Sequence, residues 1–190
     1  MSLSLNEKLC HTQHSQLLLV DIQERLASAM PTDVLKNIIK NNRILLNAAN
    51  DLNIPVTYSE QYPKGLGNTV SELAEEVIES NVSFTKTCFA CTEEDGFSEI
   101  ISTHKRQQII IGGIESHICV LQTAIQLQRQ GYAVYVVEDA ICSRKKLNHK
   151  NAVARLRQNG VIVSNVESVL FEWLRDAKHK SFKKLSSLIK

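Results

Sequence analysis

Short aliphatic and β-branched runs alternate with stretches of helical periodicity along nearly the whole chain, and that alternation fixes the fold class. Residues 17–20 read as a first strand. Pro31-Thr32-Asp33 opens a helix whose Leu35, Ile38, Ile39, Leu45, Leu46 and Ala49 recur at helical spacing. Residues 55–58 form a second strand, leading into a turn-rich loop at 59–67. A helix over 71–78 precedes a third strand at 82–86, and a short helix near 97–103 precedes a fourth at 108–111. A helix starting near Cys119 packs through Val120, Thr123, Ala124 and Leu127 and is capped by Gly131. A fifth strand spans 132–137, a helix runs from about 148 to Gly160, and a sixth strand covers 161–163. Helical stretches at 168–177 and 181–189 close the chain. Strands separated by helices imply parallel crossovers, and near-continuous apolar strands imply helices on both faces. The expectation is a three-layer α/β/α sandwich built by one domain, residues 1–190.

Charge and composition narrow the function. A net charge of +2 gives no general polyanion-binding signature, so nucleic acid is not an expected partner. The lysines at 178, 180, 183, 184 and 190 read as a solvated face. No apolar run approaches the ~20 residues of a membrane span. Residues 1–8 lack the apolar core of a signal peptide. The five cysteines are odd in number and irregularly spaced, which favours reduced thiols and a cytoplasmic protein.

The fourth strand carries the chemistry. Ile109-Ile110-Ile111 runs into Gly112-Gly113, a short polar link follows, and Cys119 sits where a helix should begin. Backbone N–H groups and the helix dipole favour a thiolate there, at the sheet edge where open α/β folds place their sites. The first strand ends in Asp21 and the third in Lys86. A carboxylate, an ammonium and a thiol at three strand ends have the makings of a nucleophilic site. In it, Cys119 attacks, Lys86 favours the anion, and Asp21 takes the thiol proton and later activates water.

Leu18-Leu19-Val20-Asp21-Ile22-Gln23, Phe84-Thr85-Lys86, the stretch from Gly112 to Val120 and that from Gly131 to Ala140 together resemble the isochorismatase-like cysteine hydrolases, in particular the isochorismatase domain-containing branch. The resemblance implies a six-stranded parallel sheet of order 3-2-1-4-5-6, homo-oligomers, a small-molecule substrate and an Asp21–Lys86–Cys119 triad without cofactor. It also implies a cis peptide bond between Ile114 and Glu115, with the backbone N–H groups of Glu115 and Cys119 forming the oxyanion hole. Gln23 then orients Asp21 or lines the pocket, and Glu60, Tyr62 and Phe89 are candidate pocket residues.

Other motifs carry less. Cys88 and Cys91 form a CxxC with no second pair to complete a zinc site. His117 lies two residues before Cys119 and would point elsewhere. The Asp-x-His that nicotinamidase-like members use for metal is replaced here by Ser59-Glu60-Gln61-Tyr62, so no metal is expected. Gly112-Gly113 lacks the rest of a dinucleotide fingerprint. These residues point to hydrolysis of an amide or other C–N bond. Vinyl-ether hydrolysis, a binding protein that keeps the fold, and a redox role for Cys88 and Cys91 stay open as alternatives. The apolar residues Val169, Leu170, Phe171, Trp173 and Leu174 exceed one packing face and suggest a subunit interface.

Overall fold

A computed structural model describes residues 8–190; most of the leader segment considered above lies outside the described residues. Six strands, β1 (Ser15–Val20), β2 (Val56–Gln61), β3 (Val82–Lys86), β4 (Gln108–Ile114), β5 (Ala133–Cys142) and β6 (Ile162–Ser164), form one sheet. Their order is β3-β2-β1-β4-β5-β6 and every neighbouring pair is parallel.

Strand periodicity divides the aliphatic residues between two cores. Leu17 and Leu19 of β1, Val56 of β2 and Ile110 of β4 face the long Thr32–Asp51 helix and the Val166–Leu174 helix. Leu18 and Val20 of β1 and Ile109 and Ile111 of β4 face the opposite way, onto Phe97, Ile101 and the Leu121–Arg129 and Lys146–Gln158 helices. Both layers are therefore needed to bury β1 and β4, whose residues are buried throughout.

Several element boundaries differ from the sequence expectation. β4 continues through both glycines to Ile114, because Gly113 lies directly against β1. A Cβ on Gly113 would sit 2.1 Å from the Val20 carbonyl oxygen, and its φ of +132° is one that L side chains rarely adopt. β5 is longer than expected because its pairing with β4 jumps from Ile111↔Val136 to Gly113↔Ile141. Asn41 and Asn42 hold the looped-out backbone, donating to the Asp139 and Ala140 carbonyls at 2.7 and 2.8 Å. The helix expected over 71–78 stops at Ala74. β2 extends to Gln61, so the first three residues of the expected loop are strand. The surplus apolar residues of the Val166–Leu174 helix are core: Val169, Leu170, Trp173 and Leu174 are buried within this chain, leaving Phe171 exposed. That helix supplies no broad subunit face. Among the described residues no helix is long and apolar enough to cross a membrane.

Candidate active site

The order of strands reverses between β1 and β4, and ligands of open α/β sheets bind beyond the carboxyl ends at such a point. Asp21 follows β1 there, and Cys119 follows β4. Lys86 ends β3, two strands away, and reaches back across β2. Its ammonium meets the Asp21 carboxylate at 2.7 Å, with both side chains fully buried. It also donates to Gln61 Oε1 at 2.6 Å and to the Cys88 and Phe89 carbonyls at 3.1 and 3.2 Å. The other Asp21 oxygen accepts from the Ser59 hydroxyl at 2.7 Å. The buried Cys119 thiol is electrostatically coupled to the same carboxylate. Asp21 has a left-handed backbone, φ +52°, a conformation for which aspartate is enriched among residues with a side chain.

Electrostatics decide which group holds the proton. Burial pushes the Asp21 carboxyl above its ordinary range; Lys86, Ser59 and Cys119 oppose that rise without cancelling it. Burial alone would lower Lys86, but Asp21, Cys119 and Cys91 together outweigh it and hold the ammonium above its usual value. Cys119 is pushed well up, first by burial and then by Asp21, against a smaller opposing pull from Lys86. Lys86 favours the Cys119 anion but also faces Asp21, and the net effect on the thiol is upward.

The cysteine rides on an unusual turn. The Ile114–Glu115 peptide is cis. Ser116–Val120 then forms one π turn, closed from Val120 N–H to the Glu115 carbonyl, before the α-helix starts at Leu121. Single π turns recur at functional sites. Residues 143–149 brace it. Arg144 donates from its backbone and its side chain to the Glu115 carboxylate. His149 pairs with Ser116 at 3.0 Å, and His117 with Ser143 at 2.9 Å and Asn148 at 3.1 Å. Both His117 ring nitrogens are thus engaged away from the thiol.

The remaining expected residues separate. Gln23 is fully buried and ties β2 to residue 67: it accepts from Gln61 N–H at 2.7 Å and donates to the Gln61 and Gly67 carbonyls. Glu60 faces away from the triad and accepts from Thr69 N–H and its hydroxyl at 2.6 and 2.8 Å. Tyr62 and Phe89 are exposed. Cys88 and Cys91 diverge: Cys88 is partly exposed, whereas Cys91 is buried with its thiol 3.7 Å from Ser59 Oγ. Among the described residues no group of three or more His, Cys, Asp or Glu is placed to hold a metal ion. Ser59 and Gln61 were missed because their segment reads as a loop. Had β2 been continued three residues, its period of two would have put Thr57, Ser59 and Gln61 on one face.

The model of the isochorismatase domain family matches residues 15–168. Isochorismatase domain-containing protein 2 of Danio rerio is 40% identical over 178 residues, spanning 94% of this chain and 88% of the relative. The structure of the MAR1 ribonuclease from Caenorhabditis elegans superposes with a TM-score of 0.89 at 35% identity, covering 95% of this chain and 92% of that one. The Escherichia coli YcaC gene product, described as an octameric hydrolase of unknown specificity, gives a TM-score of 0.87 over all of this chain and 91% of its own. At 22% identity it is a likeness of fold alone.

Proposed function

The chain belongs to the isochorismatase family and has its hydrolase fold, and we propose that it is a cysteine hydrolase cleaving a C–N bond in a small amide or urea-like compound. One observation carries this reading: the Lys86 ammonium and the Asp21 carboxylate form a fully buried ion pair at 2.7 Å, with the buried Cys119 thiol electrostatically coupled to both. Asp21 accepts the thiol proton as Sγ attacks the substrate carbonyl carbon. The Glu115 and Cys119 N–H groups stabilise the oxyanion. The C–N bond breaks, the nitrogen leaves with the proton from Asp21, and a thioester remains on Cys119. Water attacks the thioester, giving a proton to Asp21, and the acid product departs as that proton returns to sulfur. Lys86 keeps Asp21 ionised between these transfers. Atoms and charges close over the cycle with these three side chains alone, without a cofactor. Tyr62 and Phe89, exposed near the Lys86 end of the chain, are the proposed substrate-facing residues. Five unpaired cysteines suit a reducing compartment such as the cytoplasm.

The test is an acid-quenched incubation with a panel of primary amides, ureas and a short RNA, followed by peptide mass spectrometry. The expected result is nitrogen release with an acyl adduct on the Cys119 peptide, both lost in Cys119→Ala. The ribonuclease name of the Caenorhabditis elegans neighbour motivates the RNA arm. RNA cleavage that survives Cys119→Ala, or amide hydrolysis that does, would overturn the proposal.

A further inference from the structure

Lys86 is fully buried and has two side-chain acceptors, one charged and one neutral. We infer that Gln61 is a positioning residue: its carboxamide oxygen holds the Lys86 ammonium against Asp21 without adding a second negative charge to the pair. The inference rests on the hydrolase reading above.

The orientation of that carboxamide is locked by the polarity of its partners. Gln61 Oε1 faces an ammonium, which can only donate, at 2.6 Å; its Nε2 faces the Thr87 carbonyl, which can only accept, at 2.6 Å. Flipping the amide would set donor against donor and acceptor against acceptor. Its backbone is clamped in the same way. Gln23 Oε1 takes the Gln61 N–H, and Gln23 Nε2 gives to the Gln61 carbonyl. Two buried carboxamides in series therefore carry a fixed geometry from the chain after β1, across β2, to the end of β3. The ammonium is left with one orientation, aimed at Asp21.

Neutrality matters as much as geometry. The Asp21–Lys86 ion pair beside Cys119 sums to zero charge, with the Cys91 thiol as a lesser neighbour. A carboxylate at position 61 would satisfy the ammonium equally well but bring the cluster to −1. Proton removal from Cys119 would then be opposed by a second anion in a buried site where screening is weak.

The experiment compares the unaltered protein with Gln61→Glu and Gln61→Met, both close to glutamine in size. Iodoacetamide labelling of Cys119 is followed by peptide mass spectrometry from pH 6 to 10, alongside urea unfolding. Gln61→Glu should displace the rising limb of the rate profile upward by about one pH unit, an about tenfold slower reaction at a fixed pH on that limb. Gln61→Met should lower the rate at every pH without moving the limb, because charge is unchanged and only the hold on Lys86 is lost. A purely structural role would lower the urea midpoints and leave both profiles superposed on the parent; that result overturns the inference alone. Cys119 in the unaltered native protein reacting no faster than Cys10 or Cys142, and indifferent to Lys86→Met, would sink the hydrolase reading and this inference with it. Either folded variant suffices.

Discussion

Lys86→Met isolates an ion pair whose two side chains are fully buried. The ammonium and the Asp21 carboxylate are 2.7 Å apart with no exposed side-chain surface. At an effective dielectric constant of 20 their attraction is ~6 kcal/mol. Most of that offsets the desolvation of two ions, so the pair itself adds little, but deleting one member strands the other. In Lys86→Met the Asp21 carboxylate keeps only the Ser59 hydroxyl and the Cys119 thiol as donors. The expected loss is ~3–5 kcal/mol at pH 7.5, measured by urea unfolding with m held as a check on two-state behaviour. Asp21→Asn should cost less. It leaves Lys86 with Gln61 and two backbone carbonyls. The double variant should be at least ~2 kcal/mol more stable than the sum of the singles predicts. The pH dependence has a definite sign. Burial already lifts Asp21, and without Lys86 it rises further. A carboxyl whose folded-state pKa is raised keeps its proton where the unfolded chain, at ~3.9, has lost it. The deficit of Lys86→Met must therefore shrink as pH falls from 7.5 toward 5. Single losses below ~1 kcal/mol, additive within ~0.5 kcal/mol and flat with pH, would refute the buried ion pair.

Four further outcomes follow from local geometry. Gly113→Ala forces a Cβ to 2.1 Å from the Val20 carbonyl oxygen, between the strands that carry Asp21 and Cys119; it should cost more than ~3 kcal/mol or abolish soluble expression, read by yield and urea midpoint. Trp173→Phe removes the indole donation to Ser15 Oγ at 3.0 Å and should cost ~1 kcal/mol, with Ser15→Ala adding little on top. Burial lowers His149, against a smaller opposing effect of Glu138; its depressed folded pKa contributes stability above ~6.5 that is lost as pH falls, so His149→Gln should reduce the drop in urea midpoint between pH 7.5 and 5.5. Timed thiol labelling of native protein should modify Cys88 first and leave Cys10, Cys91 and Cys142 silent until denaturant is added, since only Cys88 among these four has appreciable exposure.

What was legible in the sequence was whatever a single period could reveal. The alternation of Leu17/Leu19 with Leu18/Val20 and the isoleucines of β4 announce strands buried on both faces, because no shorter-range rule competes with them. Asp21, Lys86 and Cys119 were legible because each stands at the end of such a run, where the direction of the chain alone sends the three to one sheet edge. The excess of aliphatics at 169–174 misled, because a helix pressed between the Thr32–Asp51 helix and the sheet buries more than one stripe. Ser59 and Gln61 failed for a sharper reason. Ser-Glu-Gln-Tyr-Pro has the composition of a turn, and local propensity has no access to the neighbour that makes it a strand. That neighbour is β3: Gln61 pairs with Lys86 in register, so the extension of β2 exists to run beside the segment whose ammonium it must hold. A buried lysine at a strand end is thus a sequence signal in itself. Its three protons each demand an acceptor, one charge demands one countercharge, and Asp21 can supply only the charge and one of the acceptors. The neutral oxygens on β2 and at Cys88 and Phe89 are the remainder of that requirement, so a search for polar residues two apart on the intervening strand would have found Gln61.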